Sequence, residues 1–164
     1  MSTEKYPYLK KYIDSNVDEF DNYFEKVTLQ EIIDAETALN LKFPSELKEF
    51  YLEIGCGFIV RPHNPPKDYR FFGTNRINAP NLIVQMFEEG PESGLVSQDF
   101  LDDMEPGDLP FFEISDSSSF MVMKTQSDNP NAVWYMGYKK IEDSLEQFIW
   151  NLYYKDPDYY SEDW

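Results

Sequence analysis

The sequence predicts a single α+β domain, in which an antiparallel sheet is covered by N-terminal helices and a closing C-terminal helix. Three observations carry that prediction. Two amphipathic stretches with helix punctuation lie near the start, short β-type runs divided by turn residues fill the middle, and a last amphipathic stretch precedes Pro157. At 164 residues, such a domain buries roughly 70% of its extended surface, so its core needs no staples.

Thr28-Leu29-Gln30-Glu31 is a capping box, which satisfies two orphan N–H groups at a helix start. Leu29, Ile32, Ile33 and Leu39 follow at i, i+3, i+4 spacing, and Asn40 makes a stop. After Leu41-Lys42-Phe43, Pro44 presets φ for the first turn of a second helix, with Ser45 and Glu46 suited to its start. Leu47, Phe50, Tyr51 and Ile54 form its apolar face, and Gly55 ends it. The upstream segment Tyr6 to Phe24 reads as partly helical, with Leu9, Tyr12, Ile13 and Phe20 available for packing.

From Gly57 onward the texture becomes β-like. Phe58–Val60 and Tyr69–Phe72 read as strands on either side of a loop whose Pro62, Pro65 and Pro66 exclude a regular ladder. Asn81–Glu89 reads as a short helix capped by Asn81 and closed by Gly90-Pro91. Leu109–Ile114, Ser119–Lys124 and Ala132–Tyr138 read as three successive strands of an antiparallel meander, divided by turns at 116–118 and 127–130. The last helix is expected from Ile141 to Tyr154, with Asp143 or Ser144 at its start and Leu145, Phe148, Ile149 and Leu152 on one face. The expected organisation is one domain over residues 1–155 and an acidic, aromatic tail over 156–164.

Composition narrows the function classes. There are 31 Asp or Glu against 14 Lys or Arg, one His and one Cys, for a net charge of −17. One Cys cannot form an internal disulfide, and one Cys with one His cannot supply a typical zinc site. The amino terminus has no apolar h-region, and the longest apolar runs fall far short of the ~18 residues that span a bilayer, so a cytoplasmic protein is expected. The charge opposes unaided binding to nucleic acid or anionic lipid, and its natural complement is a basic partner. Disordered acidic chains are poor in aromatics, whereas this one carries 13 Phe, 12 Tyr and 3 Trp.

The charge is also uneven. Between Arg76 and Lys124 no basic residue occurs, while Glu88, Glu89, Glu92, Asp99, Asp102, Asp103, Glu105, Asp108, Glu113 and Asp116 fall in that interval. Such a stretch is either a solvated acidic surface or an electrostatic docking face.

The stretch from Ile33 to Gly57 resembles the signature of the SUKH superfamily. It has a helix bearing Glu36 and Leu39, a link ending in Phe43-Pro44, a second helix with Phe50, and the turn Gly55-Cys56-Gly57. The strands from Leu109 to Asp116 and beyond are similar to the family's central sheet. Cys56 departs from the Asn-Gly or Gly-Gly such proteins commonly carry. The resemblance implies a SUKH-like helix-covered sheet and protein recognition without catalysis, often neutralisation of a toxin by an immunity protein.

Candidate chemistry elsewhere is sparse. His63 lies in a Pro-rich segment, where sequence shows no nucleophile within reach. Cys56 follows a helix C-terminus, whose negative dipole end raises a thiol pKa. Ser117, Ser118 and Ser119 form a turn rather than a nucleophile elbow, and no phosphate-binding glycine motif occurs. The acidic residues of 99–108 do not fit an EF-hand spacing. No catalytic residue, cofactor or metal is therefore assigned.

The expected function is a non-enzymatic binding module, an immunity protein whose acidic face blocks a basic, nuclease-type toxin by steric occlusion and charge mimicry. The alternative is a regulatory scaffold in cell-wall assembly or stress signalling. The candidate partner-binding residues are Asp99, Asp102, Asp103, Glu105, Asp108, Asp116, Tyr159, Tyr160 and Trp164, with Phe100 and Phe112 as further aromatic anchors.

Overall fold

The two longest apolar runs of the middle region pair as a hairpin, and the sheet is assembled around it. A computed structural model describes residues 4–15, 21–115 and 118–163. Among these, seven strands form one antiparallel sheet in chain order: β1 (Tyr23–Glu25), β2 (Cys56–Phe58), β3 (Arg76–Ile77), β4 (Asp108–Ser115), β5 (Ser119–Lys124), β6 (Val133–Tyr135) and β7 (Lys139–Glu142). The helices α1 (Leu29–Leu39) and α2 (Ser45–Glu53) join β1 to β2. The helices α3 (Pro80–Glu89) and α4 (Gln98–Asp103) are inserted between β3 and β4, and α5 (Leu145–Tyr154) follows the sheet. The chain is a single α+β domain.

Local chemistry places the first helix pair. Both bonds of the Thr28–Glu31 capping box are made, and Asn40 ends α1 in the left-handed region at φ 53°. Glu36 is buried on α1. Its carboxylate accepts the Phe43 N–H at 2.8 Å and the Lys48 ammonium at 3.0 Å, so the link between α1 and α2 is clamped from inside. Pro44 sits one residue before α2 as its N-cap and has no side-chain oxygen to offer. Asn131 supplies one instead, accepting the Glu46 N–H at 3.1 Å.

The Gly55-Cys56-Gly57 turn is dictated by proximity. A Cβ on Gly55 would lie 1.9 Å from the Glu25 carbonyl oxygen, and one on Gly57 would lie 2.0 Å from that of Tyr23. Both positions also have positive φ, 123° and 153°. Only glycine lets β1 and β2 approach this closely.

The two faces of the sheet bury different side chains. Along β5, Met121 and Met123 enter the main core, while Phe120 and Val122 enter a second, smaller one. A register shift in β4 between Leu109 and Phe112 breaks the alternation there. Both Phe111 and Phe112 therefore reach Phe148 of α5, at 6.3 and 5.2 Å between ring centroids.

Several expectations are corrected. The upstream segment is partly helical as expected, through a 3-10 helix at Pro7–Tyr12, but its end at Phe24 lies in β1; residues 16–20, and Phe20 with them, lie outside the described residues. The strand expected at 58–60 is Cys56–Phe58, because its register is set by the glycines against β1. Tyr69–Phe72 forms no strand and Phe72 is 93% exposed; a short apolar run without a pairing edge remains loop. Asn81 does not cap α3, since Pro80 already occupies its first turn. The run 132–138 is split by a turn at Met136, where φ is 54°, and Gly137, and β7 begins beyond it at Lys139. Ile141 belongs to that strand, and α5 starts later with Ser144 accepting the Gln147 N–H.

Candidate functional site

The acidic interval is built onto the second core. Met86 of α3, Val96 and Phe100 of α4 are buried against Phe120 and Val122 of β5, which fixes both helices to the sheet. Ser97 caps α4 by accepting the Phe100 N–H at 3.2 Å. With Phe100 turned inward, Asp99, Asp102 and Asp103 are left exposed on the same six-residue helix, and Glu105 follows them on the surface. Glu88 and Glu89 are exposed at the last turn of α3, which carries no basic residue. Two carboxylates there meet the negative end of the helix dipole.

Among the described residues, the cations that bound this interval reach only one of its exposed carboxylates, Glu105. Arg76 is held at 2.5 Å by Glu113 and also donates to Asn78 at 3.1 Å. Lys124 is only 14% exposed; its ammonium bonds both Asp108 oxygens at 3.1 Å and Glu105 at 3.3 Å. The outer carboxylates thus face water with no cation from within 77–123, while the flanking charges are used inside the fold.

The structure does not bring all candidate residues together. Asp108 is buried, and its carboxylate accepts the Glu105 N–H as well as Lys124, so it is an internal partner and not a surface charge. Tyr160 is buried in the main core, where its hydroxyl donates to Asn75 Oδ1 at 2.8 Å. Tyr159 is half-buried, donates to Glu142 at 2.9 Å and packs on Phe148. Burial pushes both tyrosine hydroxyls well above their ordinary pKa. Phe100 and Phe112 are likewise core residues, as a side chain of that size next to an apolar sheet face would be. The tail tyrosines and α4 thus belong to different cores. Asp116 and Trp164 lie outside the described residues.

Other candidate chemistry resolves into packing. His63 is exposed, its ring rests 5.2 Å from Tyr154, and its backbone N–H donates to the Tyr153 carbonyl. Burial pushes the Cys56 thiol up to about 11, reinforced by the carboxylates of Glu25 and Glu31, which leaves little thiolate at neutral pH. Among the described residues no group of three or more His, Cys, Asp or Glu side chains could hold a metal ion, and no helix is long and apolar enough to cross a membrane.

Sequence reasoning missed Tyr138. It is 73% exposed beside Gly137 in the β6–β7 turn and shares a groove with Asp103 and Glu105. The signal was the glycine inside the run 132–138, which marks a turn and so an outward aromatic.

A helix pair clamped by a buried glutamate, a turn that admits only glycine, and a sheet paired in chain order define a helix-backed α+β scaffold with its charge on an insertion. The sequence profile of the SMI1 / KNR4 family (SUKH-1) matches residues 26–151, and the chain belongs to that family. It is similar to the immunity protein YxxD of Bacillus subtilis (strain 168), with 36% identity over 135 residues, covering 79% of this chain and 82% of the relative.

Proposed function

We propose that this chain is a non-enzymatic, cytoplasmic immunity protein that neutralises a cognate toxin, and that the acidic surface on α3 and α4 docks a basic, nuclease-type partner. The observation that carries the reading is the lopsided use of charge. Asp99, Asp102, Asp103, Glu88 and Glu89 are exposed and form no ion pair among the described residues, the last two at the unfavourable end of a helix, while nearby Arg76 and Lys124 are held by buried carboxylates. Local choices that work against stability concentrate where a surface serves recognition. The name of the similar Bacillus protein supports the immunity half of the reading.

The mechanism is occlusion. A nuclease must present a cationic cleft to its substrate, and a rigid row of carboxylates competes for that cleft while the sheet behind it blocks access. Complementary charge also speeds encounter and makes the association salt-sensitive.

The test is binding to the toxin encoded beside this gene, measured by calorimetry over rising salt, with toxicity scored on co-expression. Tight binding that weakens with salt, and that Asp99→Lys with Asp102→Lys weakens about tenfold or more, is expected. Unchanged affinity in the double variant overturns the acidic-surface mechanism. Toxicity undiminished by co-expression overturns the immunity role.

A further inference from the structure

We infer that the groove between α4 and the β6–β7 turn is a socket for one arginine side chain of the basic partner. This rests on the acidic-surface reading and narrows it from a field to a place. The groove holds about 310 Å³, at the lower end of ligand-site sizes, which suits a single long side chain. The turn after α4 supplies Glu105, the start of β4 supplies Asp108, and α4 itself supplies Asp103. Across from them the β6–β7 turn supplies Met136, Gly137 and Tyr138.

Charge decides the sign of the occupant. Lys124 and the buried Asp108 offset each other, which leaves the exposed carboxylates of Asp103 and Glu105 as two negative charges at the groove. Lys124 adds no free donor, because its three hydrogen bonds already go to Asp108 and Glu105. An anion is repelled there, and an apolar plug would strip water from carboxylates without replacing it. A cationic side chain meets both needs.

Shape decides which cation. Tyr138 is 73% exposed and lines the groove together with Asp103 and Glu105, its ring roughly perpendicular to that of Tyr135 at 5.7 Å, so an aromatic ring is open to solvent beside the carboxylates. A guanidinium stacks on an aromatic face while its planar fork pairs with carboxylate oxygens, and its stem can lie along Phe100 and Met136. Gly137 keeps the approach open. A Cβ there would stand 3.3 Å from Asp108 Oδ2, over the carboxylate that forms the groove's inner wall.

The test uses the full chain, isotope-labelled, titrated with an oligoarginine peptide and with its citrulline counterpart, which keeps the shape and removes the charge. Saturable amide shifts centred on Gly137 and Tyr138 are expected with the arginine peptide and not with citrulline. Tyr138→Ala is expected to weaken binding about threefold while the spectrum elsewhere stays folded. Asp99→Lys, on the outer side of α4, should lower affinity without moving the centre of the shifts. Shifts spread evenly over α3 and α4, with Gly137 unmoved and Tyr138→Ala binding like the parent, overturn the socket and leave the acidic surface standing. Absence of binding by either peptide at low salt overturns both.

Discussion

The two faces of the sheet are stabilised by different means. On the main face, Phe111, Phe112, Phe148 and Leu152 pack together, and polar groups are turned inward to hold connections: Glu36 clamps the Phe43 link, Asn75 holds Tyr160, and Tyr51 donates to the Asn78 carbonyl. On the other face a small cluster around Phe100 and Phe120 secures α3 and α4, and the carboxylates of those helices point to water. The contrast separates two tasks. One face makes the fold, and the other is left free to carry charge that the fold does not need.

The strongest challenge to that division is to remove one ring from each face. Phe148→Ala should cost about 3–5 kcal/mol in urea unfolding, and Phe100→Ala less, because a short helix can settle into the space. Equal losses would make the two cores equivalent. Next comes the inward clamp. Glu36→Ala leaves the Phe43 N–H and Lys48 without their acceptor and should cost about 2–3 kcal/mol, against about 0.5 kcal/mol or less for Asp103→Ala on the outer face.

Alkali gives a smaller, pH-bounded effect. Burial raises Cys56 from an ordinary 9.0 to about 11, so the folded chain holds this proton more tightly than the unfolded one. The stability this contributes is complete below about pH 9 and is lost as pH climbs through 11. Cys56→Ser should remove that part of the alkaline fall in melting temperature. The smallest effect has the opposite sign. Glu88→Lys with Glu89→Lys should stabilise by a few tenths of a kcal/mol through the α3 dipole, read by the same urea titration, while weakening the basic partner.

How much was legible follows from how locally each element is encoded. Thr28, Glu31, Asn40, Pro44, Gly55 and Gly57 act within a few residues of themselves, and the first helix pair was read from them. The apolar runs of β4 and β5 were also plain. The strands β1, β3 and β7 were not, since they are two to four residues long and exist only through a neighbouring strand. The helix α4 was hidden because its single inward aromatic, Phe100, gives no period among acids. The exposed acids Asp99, Asp102, Asp103 and Glu105 were legible as a charge run. The inward turn of Asp108 toward Lys124 and the burial of Tyr160 depend on partners 16 and 85 residues away.

Strand order has a temporal consequence. Because every strand pairs with its neighbour in the chain, each one that leaves the ribosome meets a partner already made, and the sheet can grow from one edge as synthesis proceeds. The β1–β2 junction must wait for the intervening helices, but nothing later has to be threaded between earlier strands. Tyr160 comes last, and when its hydroxyl reaches Asn75 it latches the finished sheet from the far end of the chain.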